Sequence, residues 1–98
     1  MSNSDLDFLA TLEGIIVDRR STPAAGSYTT ELFAAGTQRI AQKVGEEAVE
    51  VALASCHDDR EETAGEAADL LYHLLVLLAN QKIPLADVVS VLRSRHAG

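Results

Sequence analysis

The sequence predicts an all-α protein of four to five helices, a helical bundle completed by oligomerisation. Three observations predict it. Apolar residues recur at helical spacing in nearly every segment, and no stretch shows the alternation of a strand. The breakers fall in a few places only, at 21–26, at Gly36, at 57–60 and at 82–84. And 47% of the residues are hydrophobic in a chain of 98, more apolar surface than so small a monomer buries well, a surplus that small helical chains resolve by association.

Taken in order, Ser4 or Asp5 is expected to cap a first helix, since their side-chain oxygens accept from free backbone N–H groups. Leu6, Leu9, Leu12, Ile15 and Ile16 follow at helical spacing, and Arg19 and Arg20 close the helix against the negative end of its dipole. Ser21 to Gly26, with Pro23 inside, is the one clear loop and the best candidate for a lid or a substrate contact. Ser27 to Thr30 caps a short helix through Leu32 and Phe33, which Gly36 ends. A long helix is expected from Thr37 to about Ser55. After a turn at 57–60, Asp59 with Glu62 has capping-box spacing and opens a helix running to Gln81. Lys82-Ile83-Pro84 breaks it. A last helix from about Pro84 is expected to carry Leu85, Val88, Val89 and Leu92 inward. The whole, residues 1–98, is one domain.

The bulk composition excludes some functions. Eight basic against 15 acidic residues give a net charge of -7, opposite to the footprint that sequence-independent nucleic-acid binding requires. Cys56 is the single cysteine, so no disulfide framework forms within the chain and a reducing compartment is expected; a helix-end or core role suits it better than a nucleophile's. No positively charged leader precedes an apolar stretch, and the run from Leu74 to Ala79 is far short of the ~20 residues that span a bilayer. The expectation is a soluble, cytoplasmic protein with neither nucleic-acid nor membrane partners.

The acids carry the chemistry. On a wheel of about 100° per residue, Glu46, Glu47 and Glu50 lie between an apolar arc (Val44, Ala48, Val51) and a second patch (Val49, Leu53), with Arg39 and Lys43 in the same sector. On the following helix Glu62, Glu66, Asp69, His73 and Asn80 share a narrow stripe, and nearly all the remaining surface is apolar. A solvated face usually mixes signs, because like charges one turn apart repel; this stripe has no base among its acids. Packed antiparallel, the two helices can bring Glu47 and Glu50 against Glu66 and Asp69. Four such carboxylates must protonate or hold cations. Oxygen-only donors select Mg²⁺ or Mn²⁺. A di-iron site of the Glu-x-x-His kind is set aside, because no His stands three residues after Glu47, Glu50 or Glu66. A Mg²⁺ site on few carboxylates leaves room for water and phosphates, which suits attack of a metal-activated water on a phosphoanhydride. Arg39 and Lys43 are placed to neutralise the phosphates, or simply to pair with nearby glutamates. His73 is expected to be a hydrogen-bonded structural residue or a partner of Asp69.

These residues also resemble a known signature. Glu46-Glu47-x-x-Glu50 followed by Glu66-x-x-Asp69 is similar to the metal-binding pattern of the all-α nucleoside triphosphate pyrophosphohydrolases, which include MazG-type enzymes and dimeric dUTPases. The surrounding text, Ser27-Tyr28-Thr29, Arg39-Ile40-x-x-Lys43-Val44-Gly45-Glu46-Glu47 and Glu66-Ala67-Ala68-Asp69-Leu70-Leu71-Tyr72-His73, resembles the phosphoribosyl-ATP pyrophosphatase family from Thr22 to about Arg95. The resemblance implies Mg²⁺-dependent hydrolysis of the α–β phosphoanhydride of N1-(5-phosphoribosyl)-ATP to phosphoribosyl-AMP and pyrophosphate, the second step of histidine biosynthesis, by a homodimer. It implies that Glu47, Glu50, Glu66 and Asp69 hold the metal, with Glu46 a further ligand or the base that orients water, so that Glu46 and Glu47 are the catalytic pair. Arg39 and Lys43 would face phosphates, and Tyr28, Thr29, Asn80 and Lys82 would contact substrate. Some members are fused to the cyclohydrolase of the next step; a chain of this length is expected to be the stand-alone form. Two alternatives stand beside this reading: a house-cleaning hydrolase of non-standard nucleoside triphosphates, and a non-catalytic acidic helical interaction module.

Overall fold

A computed structural model describes residues 3–97. It consists of five helices, α1 (Asn3–Ser21), α2 (Tyr28–Ala35), α3 (Thr37–Ser55), α4 (Arg60–Asn80) and α5 (Leu85–His96), with no strand among the described residues. α3 and α4 form the dominant pair, an antiparallel hairpin closed by the turn at 56–59. α1 and α2 pack on the half of α4 nearer its C-terminus, where His73, Leu75, Val76 and Ala79 are all buried.

The core is small and aliphatic. Ile16 of α1, Leu32 of α2, Ile40 of α3 and Leu75, Val76 and Ala79 of α4 form one cluster, with Leu12, Val17, Phe33, Tyr72, Leu77 and Leu85 packed against it. It therefore lies at one end of the α3–α4 hairpin. At the other end, Ala54 is the buried residue of α3, while Ala64, Gly65 and Ala68 of α4 are exposed.

The ends of the helices are set by local chemistry. Ser27 accepts from the Thr30 N–H at 3.2 Å and caps α2. Gly36, at φ 96°, both ends α2 and precedes α3; a positive φ of that kind suits glycine. Asp59 accepts from the Glu62 N–H at 3.0 Å and caps α4. Only that half of the expected box is seen, since the Glu62 carboxylate lies 3.7 Å from His57 Nδ1. At the far end of α4, Lys82 takes φ 59° and the Ile83 N–H returns to the Leu78 carbonyl at 2.9 Å, a left-handed stop like those that usually carry glycine. α5 begins after Pro84, and its first N–H, that of Leu85, donates to Glu13 of α1 at 2.6 Å. A carboxylate 72 residues away thus does the work of a local cap.

Several expectations are corrected. α1 already includes Ser4 and Asp5, so neither caps it. Of its apolar positions, Ile16 is buried, but Leu6 and Ile15 are about half exposed. α5 has no buried residue; Leu85 and Val88 are partly covered, whereas Val89 and Leu92 are exposed. Helical spacing places residues on one face, but only a neighbour of sufficient length covers that face. Cys56 is a free, exposed residue at the end of α3. No single helix is long and apolar enough to cross a membrane, and α4 and α5, which pass that test only together, meet at a bend of 107°.

Ile40 is fully buried at the centre of the core, so Ile40→Ala is expected to cost about 2–5 kcal/mol, whereas Asp59→Ala, which removes a single cap, should cost about 1 kcal/mol. Urea denaturation of both variants at one protein concentration checks the ratio.

Candidate functional site

The site is built by α3 and α4 where the hairpin runs beyond the aliphatic core. Their antiparallel register sets Glu47 against Glu66 and Asp69, and one carboxylate oxygen of each lies within 4.8 Å of the others. Glu47 is the most sheltered, its side chain 13% exposed; Glu66 is half-buried and Asp69 exposed. Glu50 stands one turn along α3, outside this triangle, although its charge reaches Glu66.

The electrostatics follow from this crowding. The Glu66 carboxyl is pushed above its ordinary value, first by desolvation and then by the negative charges of Asp69, Glu50, Glu47 and Glu62. Lys43 offsets part of the charge. Its ammonium lies 3.3 Å from Glu47 and 3.6 Å from Glu46, and the hydrogen bond to Glu47 is the main reason its own pKa is raised. Glu46 points to the flank. Gln42 donates to it at 3.0 Å, and that bond, with Lys43 and Arg39 nearby, lowers its pKa and keeps it ionised. Arg39 itself is exposed one turn before Lys43.

The donor set fits a hard divalent cation. Carboxylate oxygens converge from two helices, and the one nearby imidazole is already engaged at both nitrogens. His73 Nδ1 donates to the Asp69 carbonyl at 2.8 Å, which leaves Nε2 to accept from the Tyr28 hydroxyl at 3.0 Å. Crowded acids in a partly desolvated cleft, without nitrogen or sulfur donors, match Mg²⁺ or Mn²⁺ rather than zinc.

The other sequence-selected residues spread along the same helices. Tyr28 and Thr29, at the start of α2, lie against α4: Tyr28 on His73, and Thr29 through a hydrogen bond shared with the Tyr72 hydroxyl. Asn80 donates to Thr37 at 2.8 Å and ties the end of α4 to the start of α3. Lys82 lines a cavity of about 430 Å³ between α1 and the 82–84 segment, with Arg20, Val17 and Ile83. Asn80 and Lys82 lie more than ten residues beyond Asp69, and ten helical residues span roughly 15 Å. The structure thus brings together Glu47, Glu66 and Asp69, with Lys43, Glu46 and Glu50 around them and Tyr28 one turn away, and sets Asn80 at the C-terminal end of α4 and Lys82 just beyond it. Sequence reasoning missed Gln42, although its i,i+4 spacing to Glu46 was readable. It also missed Tyr72 as the partner of Thr29, for which no local signal exists.

Fold and site together define an all-α protein in which three carboxylates converge between two antiparallel helices. The chain belongs to the phosphoribosyl-ATP pyrophosphohydrolase family, whose model matches residues 9–96. Similar curated proteins include the histidine biosynthesis bifunctional protein HisIE of Yersinia pestis, 55% identical over 93 residues that make up 95% of this chain and 46% of that protein. The HisIE proteins of Campylobacter jejuni (54% identical, 96% of this chain and 45% of the relative) and Vibrio cholerae (50%, 95% and 44%) are comparable. The chain spans about half the length of the curated relatives it matches.

A pH prediction follows from Glu66. Its folded pKa lies above the ordinary 4.5, so the folded state holds this proton more tightly than the unfolded chain does. Its contribution favours folding fully below the ordinary glutamate range and is lost as pH rises through the raised value. With a chelator present, Glu66→Gln should therefore gain on the wild type as pH goes from about 4 to about 7. Urea denaturation across that range checks it; parallel curves would show that Glu66 is not crowded.

Proposed function

We propose that this chain hydrolyses the α–β phosphoanhydride of N1-(5-phosphoribosyl)-ATP, releasing phosphoribosyl-AMP and pyrophosphate, as a histidine-biosynthesis enzyme. The observation that carries the proposal is the convergence of Glu47, Glu66 and Asp69 from two helices in a chain of this family. Mg²⁺, or Mn²⁺ in its place, would be held by these three with Glu50 alongside, and when bound would supply Lewis-acid charge to the phosphates and lower the pKa of water.

The chain's own residues do the rest. Lys43, balanced by Glu47 and Glu46, is the cation nearest the cluster and is placed to offset charge on the departing pyrophosphate. Arg39, a turn further on, extends that positive edge. Glu46, kept ionised by Gln42 and Lys43, is available as a proton acceptor for the attacking water or as a further oxygen ligand. Water adds to phosphorus, the bridging P–O bond breaks, and the proton passes to a carboxylate or to solvent.

The reading includes a homodimer. Val49 and Leu53 of α3 and Leu71 of α4 are each about half exposed, and Ala64, Gly65 and Ala68 at the start of α4 are exposed as well, so a second copy would cover aliphatic surface that a monomer leaves wet. It also takes residues 1–98 as one domain working in the cytoplasm.

Pyrophosphate release from phosphoribosyl-ATP, dUTP and dCTP, with and without Mg²⁺, tests the proposal. Turnover of phosphoribosyl-ATP alone, dependent on Mg²⁺, is expected. Glu47→Gln and Asp69→Asn should each lower it by more than about a hundred-fold with the helical content unchanged. Turnover of the deoxynucleotides alone would move the chain to the house-cleaning hydrolases, and silence on all three would leave an acidic interaction module.

A further inference from the structure

Both tyrosines of this chain and its one buried histidine meet beside the acid cluster. The chain has two Tyr, two Phe and no Trp, so this grouping holds half its aromatic side chains. The Tyr28 and Tyr72 rings are stacked, with centroids 6.2 Å apart and planes 27° from parallel. His73 meets Tyr28 edge-on at 5.8 Å and Tyr72 edge-on at 5.0 Å. His73 is 6% exposed, yet Tyr28 is 47% exposed with its hydroxyl bonded to that buried imidazole. A tyrosine fixed at its polar tip, with its ring still open to solvent, presents a rigid flat wall.

The order of dependence is readable. The Asp69 carbonyl can only accept, so it holds a proton on His73 Nδ1, and in the neutral ring Nε2 then accepts from the Tyr28 hydroxyl. The shared bond between Thr29 and Tyr72 fixes the next residue of the same turn. The start of α2 is thereby pinned to α4 at His73, four residues and a backbone rise of about 6 Å along the helix from Asp69. Tyr28 is close enough to Lys43 for its charge to be felt there, so a nucleotide with its phosphates at the carboxylate cluster carries its base toward this ring, and an aromatic ring is the surface on which bases stack.

Resting on the hydrolase reading above, we infer that the Tyr28 ring is the platform for the purine of the nucleotide and that His73 is its positioning residue. His73 touches no substrate. It acts by fixing the direction of the Tyr28 hydroxyl and hence the plane of the ring. Affinity for the base then comes from Tyr28, while the acids and Lys43 read only phosphate.

The test separates base from phosphate. AMP and inorganic pyrophosphate are titrated separately into the full chain with Mg²⁺ present, AMP by quenching of tyrosine fluorescence, which in a protein without Trp reports this pair of rings, and pyrophosphate by calorimetry. Tyr28→Leu should weaken AMP roughly five- to hundred-fold and leave pyrophosphate unchanged. Tyr28→Phe and His73→Leu should each weaken AMP a few-fold, with the double variant no worse than either. His73→Gln, whose side-chain oxygen can accept from Tyr28, should recover affinity relative to His73→Leu. Because Tyr28 is half exposed, its variants remain folded even if those at His73 do not. Equal AMP binding by wild type and Tyr28→Leu, no AMP binding by the wild type, or additive losses at Tyr28 and His73 would each overturn the inference. A wild type that binds AMP in this way but releases no pyrophosphate from phosphoribosyl-ATP would keep the platform and remove the hydrolase reading.

Discussion

The structure depends on holding like charges together. Glu47, Glu66 and Asp69 repel one another, and Glu50 and Glu62 add to the field at Glu66. Nothing in that cluster stabilises the fold by itself. It is held because the α3–α4 hairpin is anchored elsewhere, at the end where Ile40 and Val76 are wholly buried and α1 and α2 close over α4. The aliphatic end supplies the free energy, and the acidic end spends part of it. On the reading proposed above, a divalent cation would offset this repulsion.

The position of each acid along its helix matters as much as its charge. Glu47 and Glu50 are on one helix, Glu66 and Asp69 on the other, and the turn at 56–59 fixes which of them face each other. Its left-handed residue, Asp58 at φ 55°, and the Asp59 cap together set where α4 starts. A slip of one residue there would rotate Glu66 about 100° from Glu47. Lys43 works within the same frame. It is near enough to Glu47 to offset its charge, yet one turn removed from the point where the three carboxylates converge.

The aromatic cluster solves a different problem. α2 is only eight residues long and buries one side chain deeply, Leu32. It keeps its place through hydrogen bonds: Ser27 at its cap, Thr30 to the Ala24 N–H at 3.0 Å, Tyr28 to His73 and Thr29 to Tyr72. Each bond fixes direction as well as distance, which an aliphatic contact would not do. A short helix held this way is well suited to present a substrate contact, because its orientation is set by the same helix that carries Asp69. Glu13 does for α5 what His73 does for α2, supplying from a distant helix the partner that the local sequence lacks.

What the sequence by itself determined is whatever depends on near neighbours. Apolar recurrence gave the five helices and most of their bounds, Ser27, Gly36 and Asp59 marked the stops and starts, and the unbalanced stripe of Glu62, Glu66 and Asp69 pointed to a cation before any packing was known. Those signals are local because helix formation, capping and i,i+4 repulsion act within about one turn. Tertiary structure alone decided what depends on distance in space. It chose Glu47 rather than Glu50 to complete the triangle with Glu66 and Asp69, since the rotational setting of two packed helices is fixed by side-chain interdigitation and is not written in either helix alone. It also left Val89 and Leu92 exposed despite their spacing, because spacing aligns a face but does not supply the neighbour that covers it. And it joined Tyr28 to His73 and Glu13 to Leu85, pairs 45 and 72 residues apart, whose hydrogen bonds exist only once the core has brought their helices together.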